Sequence, residues 1–128
     1  MKNAELVCMV RSLGLSQTDL AELGGVKERQ ARRWMKGDAP IPLDVEEALH
    51  LIRDDIDVMT DNMVEDVKEG DGVLIVYKSN DQLRSKLQNL PTRGKALGPF
   101  VGPHQIASLT ARELLDEQGI EVDILFAE

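Results

Sequence analysis

Rings are scarce in this sequence: one Trp, one Tyr and two Phe in 128 residues. No cluster of them forms the stacking platform on which many RNA-binding surfaces depend. Cysteine is scarcer still. The single Cys8 excludes an internal disulfide, and it is expected to pack as a small buried hydrophobe in the first helix. Of the two histidines, His50 lies beside an apolar stripe as a satisfied or exposed side chain. His104 stands at a helix start with no second His or Cys at ligand spacing, so no metal site is expected. No stretch approaches the roughly 20 apolar residues of a membrane span. No N-terminal run combines basic residues, a long apolar region and a small-residue cleavage site, so a cytoplasmic location is the expectation. Also missing are a Ser/His/Asp or Cys/His set, paired metal-ligand spacing and a nucleotide fingerprint. Neither an enzyme nor a cofactor is expected.

The chain is long enough for one or two small domains. Its formal net charge of −8 is unusual for a nucleic-acid binder, but the charge is unevenly placed. Residues 1–37 hold seven basic against four acidic residues (+3), residues 38–72 two against twelve (−10), and residues 73–128 six against seven (−1). Exposed charges act over a Debye length of roughly 8–10 Å in physiological salt, so a local positive patch can hold phosphate on an acidic protein. The acidic middle must then face away from it.

Leu6, Val7, Val10 and Leu13 recur at helical spacing, predicting a first helix over 3–13 that ends at Gly14. Ser16 is a natural N-cap for a second helix over 17–23, with Leu20, Ala21 and Leu23 inward. Ala21 is small where two helices must cross closely. Gly24-Gly25 supplies a turn with at least one residue at positive φ. Val26, Ala31 and Trp34 then form the inner side of a third helix, with Trp34 as a core anchor. Its outer side carries Lys27, Glu28, Arg29, Gln30, Arg32, Arg33 and Lys36, five basic residues and one acid. Guanidinium groups fork onto guanine O6 and N7, and both Arg and Lys neutralise phosphates.

The pattern Leu15-Ser16-Gln17, Leu20-Ala21, Gly25-Val26, Trp34 and Gly37 resembles the Cro/CI-type helix-turn-helix of phage repressors and bacterial xenobiotic-response regulators. Ala31 departs from it, standing where the family more often has a branched aliphatic. The resemblance implies a lambda-repressor-like five-helix DNA-binding domain. It turns Lys27, Glu28, Arg29, Arg32 and Arg33 towards the major groove, with Arg29 and Arg32 first for base reading and Arg33 next. Glu28 either accepts from a cytosine amino group or orients Arg32 at i+4. Gln17 resembles the family's phosphate-contacting Gln.

Pro40 and Pro42 break the chain after Gly37. Asp44 followed by Glu47 resembles a capping box, predicting a helix from Val45 to Lys68, about 36 Å at 1.5 Å per residue. Val45, Leu49, Ile52, Ile56, Met59, Met63 and Val67 make its apolar stripe; Asp54, Asp55, Asp57, Asp61, Glu65 and Asp66 make its wet side. The distal half of the stripe needs cover from a partner subunit or from the C-terminal segment.

Beyond the turn Glu69-Gly70-Asp71-Gly72, Val73–Tyr77 reads as a strand. Asn80 or Ser79 caps a helix carrying Leu83, Leu87 and Leu90, ended by Pro91. A glycine-rich loop over 92–102 contains Arg93 and Lys95; it lacks a GKS/T sequence, which weakens a phosphate-binding reading and leaves flanking DNA or water as their contacts. A helix over 103–118 then places Ile106, Leu109, Leu114 and Leu115 inward. Ile120, Val122, Ile124 and Phe126 alternate with acids as a half-buried final strand.

The fold class expected is mainly α with a small α+β C-terminal part. Residues 1–68 form the helix-turn-helix domain with its long helix 45–68, and residues 69–128 a β-α-α-β dimerisation or regulatory unit. This order, with the Pro42-Leu43-Asp44-Val45 start to the long helix, resembles the YdiL-like and anti-CRISPR-associated repressors. It implies a homodimeric transcriptional repressor bound to an inverted repeat in double-stranded DNA, commonly in its own promoter. The alternative is an antitoxin-type autoregulator whose C-terminal part binds a partner protein. RNA binding through the same basic helix stays open.

Overall fold

The structure, a computed structural model, describes residues 1–128. Six helices and two strands follow one another as α1 (Asn3–Ser12), α2 (Gln17–Gly24), α3 (Glu28–Lys36), α4 (Leu43–Glu69), β1 (Val73–Val76), α5 (Asn80–Lys86), α6 (Val101–Glu117) and β2 (Asp123–Phe126). Four helices precede the first strand, where the resemblance implies five. No helix is long and apolar enough to cross a membrane.

The first three helices arise from local signals. Ser16 Oγ accepts from the Asp19 N–H and Asp19 Oδ2 accepts from the Ser16 N–H, both at 3.0 Å, a reciprocal cap for α2. At its other end Gly25 stands at φ 65°, and the Gly25 and Val26 N–H groups return to the carbonyls of Glu22 and Ala21. Leu6, Val10, Leu20, Leu23, Ala31 and Trp34 meet in one core, with Val26 partly buried against it; Val7 is half-buried. Cys8, expected inside, is exposed: it lies on the outer side of α1, between the buried Leu6 and Val10.

The long helix begins at Leu43 rather than Val45. Pro42 is its N-cap residue, and Asp44 Oδ1 accepts from its own neighbour Val45 N–H, so the expected Asp44/Glu47 box is not formed. The stripe of α4 is buried at Val45, Leu49, Ile52, Ile56 and Val67 and half-buried at Met59 and Met63. Its cover comes from this chain. Helix α6 packs along α4 in the same direction: Phe100 and Pro103 stand by Ile52 and Met59, Ser108 Oγ lies 3.6 Å from Met63 Sδ, and Ala111 and Leu115 pack with Val67.

The inward face of α6 is His104, Ala107, Ser108, Ala111 and Leu115, whereas the expected Leu109 and Leu114 are exposed and Ile106 is half-buried. Small residues let the two helices approach closely. Helix α5 is shorter than expected; Ser79 caps it and Leu83 is buried, but it ends at Lys86, so Leu87 closes it and Leu90 lies beyond.

The strands pair in parallel, Val73 with Asp123 through Val76 with Phe126. Leu74 and Val76 face the helices, and the partnered Ile75 and Leu125 face outward. Phe126, expected half-buried, is exposed beneath the Lys78 ammonium, 5.4 Å from its ring centroid.

Candidate nucleic-acid interface

Helix α3 has two unlike sides. Ala31 and Trp34 hold it to the core, the indole at 2% exposure. A Cβ added to Gly24 would sit 2.7 Å from the Trp34 ring, so the glycine at the end of α2 is what lets α3 dock so closely.

On the outer side Lys27, Glu28, Arg29, Arg32, Arg33 and Lys36 are exposed, and Gln30 is half-buried. Lys27 stands at the N-cap position, one residue before the helix proper. Glu28 accepts a hydrogen bond from the Thr18 hydroxyl of α2. It makes no ion pair with Arg32, so the i+4 orienting role does not hold. Arg33 folds back along its own helix, its Nη1 3.4 Å from Gln30 Oε1 and its Nη2 3.5 Å from the Asp38 carbonyl. The side chains of Lys27, Arg29, Arg32 and Lys36 make no hydrogen bond or ion pair within the protein, although the Lys27 carbonyl accepts from the Gln30 and Ala31 N–H groups. Four cations are therefore available on one short helix, and Val26, Lys27, Arg29, Gln30 and Arg33 line a shallow depression there. Gln17 lies in the first turn of α2, half-buried and unbonded through its side chain.

A second set of residues, absent from the sequence reading, ties this surface to the C-terminal half. Asp19 also accepts from Asn80 Nδ2 at 2.8 Å, and Asn80 Oδ1 accepts from the Val101 N–H at 2.7 Å. One short chain of bonds thus joins the starts of α2, α5 and α6. Glu22 on α2 is held by both guanidinium arms of Arg84, at 3.3 and 2.7 Å, and by the Leu97 N–H. Arg93 makes a two-pronged pair with Asp55 at 2.8 and 2.7 Å, and the Asp55 bond raises its already high pKa further. Asp55 is thereby taken off the wet side of α4. The expected contacts of Arg93 with DNA or water give way to this pair.

Lys95 differs from both arginines. Its N–H donates to the Leu23 carbonyl at 2.8 Å and its methylenes lie across Gly25, yet its ammonium pairs with nothing. These bonds join residues far apart in the chain, so no local motif announces them.

His104 is 4% exposed, its ring tilted against Tyr77 with centroids 5.6 Å apart. Its Nδ1 is buried without a partner, and burial lowers its pKa. No group of His, Cys, Asp or Glu stands close enough to hold a metal ion. The cleft between α4 and the loop after α5, lined by Ile52, Met59, Phe100 and three prolines, has about 20 Å³ of room, enough for one water.

No protein-family model matches the chain, and no curated protein matches it in sequence.

Proposed function

We propose that the chain is a sequence-specific DNA-binding transcriptional regulator, a homodimeric autorepressor that reads an inverted repeat through residues 27–36. The observation that carries this reading is the unpaired quartet Lys27, Arg29, Arg32 and Lys36 on the outer side of a helix whose inner side is fixed by Ala31 and Trp34. A rigid helix presenting unsatisfied guanidinium groups, on an otherwise acidic chain, suits a groove lined by guanine acceptors and flanked by phosphate. Base reading falls to Arg29 and Arg32. Arg33, bent towards Asp38, straightens onto a base or stays with the backbone, and Gln17 at the start of α2 takes a phosphate.

The homodimer rests on the sheet. Parallel sheets are ordinarily covered on both faces, and this one has a bare outer face with Ile75 and Leu125 in register. Two readers on a two-fold axis meet half-sites about 10 bp apart, centre to centre, or a multiple of that.

Selection of bound fragments from random duplex DNA tests the class and the symmetry together. An inverted repeat is expected. On the selected site Arg29→Ala and Arg32→Ala each cost about 1–3 kcal/mol and relax preference at particular bases, whereas Gln17→Ala weakens all sites alike. Three variants that bind as the parent does overturn the site assignment.

The same bare face favours a second reading, an antitoxin-type autoregulator whose C-terminal part is covered by a different protein. In that case the purified chain stays monomeric until the partner is supplied.

A further inference from the structure

We infer that Lys95, from the C-terminal half of the chain, is a phosphate-contacting residue of the DNA interface; this rests on the DNA-binding reading of α3. Four cations, Arg84, Lys86, Arg93 and Lys95, lie between residues 84 and 95; Lys86 ends α5, and the structure separates the other three. Arg84 is consumed by Glu22 and Arg93 by Asp55, each through two hydrogen bonds. Lys95 is exposed and its ammonium is unpaired.

Its place is fixed at the backbone. The Lys95 N–H donates to the Leu23 carbonyl, the Leu97 N–H donates to Glu22, and Gly94 at φ 58° lies against the Leu23 carbonyl so closely that a Cβ there would be 2.6 Å away. The side chain then runs over Gly25, where an added Cβ would come within 2.6 Å of Lys95 Cδ. Gly25 thus serves twice: it takes the positive φ of the turn, and it leaves room for the lysine stem. Lys95 keeps its methylenes on protein and its charge in water, as long basic side chains do at such edges.

Gly25 is two residues before Lys27, at most about 8 Å along the backbone. Lys95 therefore extends the cationic surface of α3 past its N-terminal end and onto the end of α2, the helix that crosses the phosphate backbone when the next one lies in the major groove. A free lysine there meets a phosphate as a point charge, without base preference. The neutralisation of Glu22 by Arg84 removes the nearest acid of α2 that would oppose it.

The test is the salt dependence of binding by the full-length protein to a mixture of random-sequence 30-bp duplexes. Loss of one phosphate contact reduces the slope of log K against log salt by about 0.9, so the advantage of the parent over Lys95→Gln shrinks about 3.5-fold between 50 and 200 mM salt. Lys95→Arg restores the parental slope. Lys68→Gln, at the far end of α4, leaves it unchanged. If the parent binds with a steep slope and Lys95→Gln matches it, the inference is overturned and the α3 reading stands. If Lys95→Gln instead melts at a lower temperature with an unchanged slope, Lys95 is a cation stabilising the C-terminal end of α2, and the inference is again overturned. If the parent shows no salt-dependent binding, both fall.

Discussion

Single atoms decide two positions. At Gly24 the helix preference of alanine would return about 1 kcal/mol, but its Cβ would stand 2.7 Å from the buried Trp34 indole, with Val45 Cγ2 3.4 Å off as well. Overpacking costs about 1–3 kcal/mol, so Gly24→Ala is expected to lose up to about 2 kcal/mol in urea unfolding and to loosen α3. A neutral or stabilising result would mean that Trp34 yields. His104 makes stability depend on pH. Its folded pKa is depressed by burial, so the folded chain refuses a proton that the unfolded chain accepts near pH 6.5. Its contribution is complete above pH 6.5 and declines as pH falls towards the folded pKa, by at most about 1.4 kcal/mol per pH unit. His104→Gln is expected to flatten urea-unfolding stability between pH 5.5 and 6.5. An unchanged slope would place the titration elsewhere.

Helices α1 to α3 were legible because their determinants are neighbours in sequence: Ser16 caps, Gly25 turns, and Trp34 follows Ala31 by one helical step. Helix α6 was legible in extent but not in facing. Hydrophobic periodicity weights Leu109 and Leu114, whereas close packing on α4 selects Ala107, Ser108 and Ala111 for their size. Cys8 misleads for a related reason, since a residue type that is commonly buried was placed on the open side of a helix by its neighbours Leu6 and Val10. The cations of the proposed interface divide the same way. The α3 set is one local run, while Arg84, Arg93 and Lys95 differ only through partners 62 and 38 residues away, or through having none. The start of α6 shows how exacting these long-range contacts are. A Cβ on Gly102 would lie 1.8 Å from the Gly14 carbonyl oxygen, and two backbones have no rotamer to exchange. Gly102→Ala must lift α6 from the α1–α2 turn. The expected loss is about 3 kcal/mol or more, seen as a fall in Tm of roughly 10 °C. A fall of only a few degrees would show that this contact is soft.

Across the molecule, the core does not stop where the long helix ends. Phe100 and Ala107 belong to the same buried cluster as Leu6, Trp34 and Ile52, and Arg84 and Arg93 fasten the C-terminal half to α2 and α4. Removing residues 70–128 would strip cover from Ile52 and Ile56, so residues 1–69 alone are expected to show little cooperative thermal unfolding by circular dichroism. The proposed dimer is therefore better probed on its surface than by deletion. Ile75 and Leu125 are 43% and 52% exposed, directly opposed in register, and no helix lies over them. Two parallel strands alone are marginal, and both outer edges are open to pairing. A second copy laid on this face would bury all four side chains at the two-fold axis, removing their apolar surface from water. Placing charges there should separate assembly from folding, because neither residue supports the monomer core. The double variant Ile75→Lys, Leu125→Lys is expected to sediment as a monomer at concentrations where the parent is a dimer. It should keep the parent's affinity for a single half-site and lose the added affinity for the repeat, which for two linked readers is on the order of 10²-fold or more. A parent that sediments as a monomer at micromolar concentration, yet binds the full repeat no better than one half, would sink the two-fold arrangement.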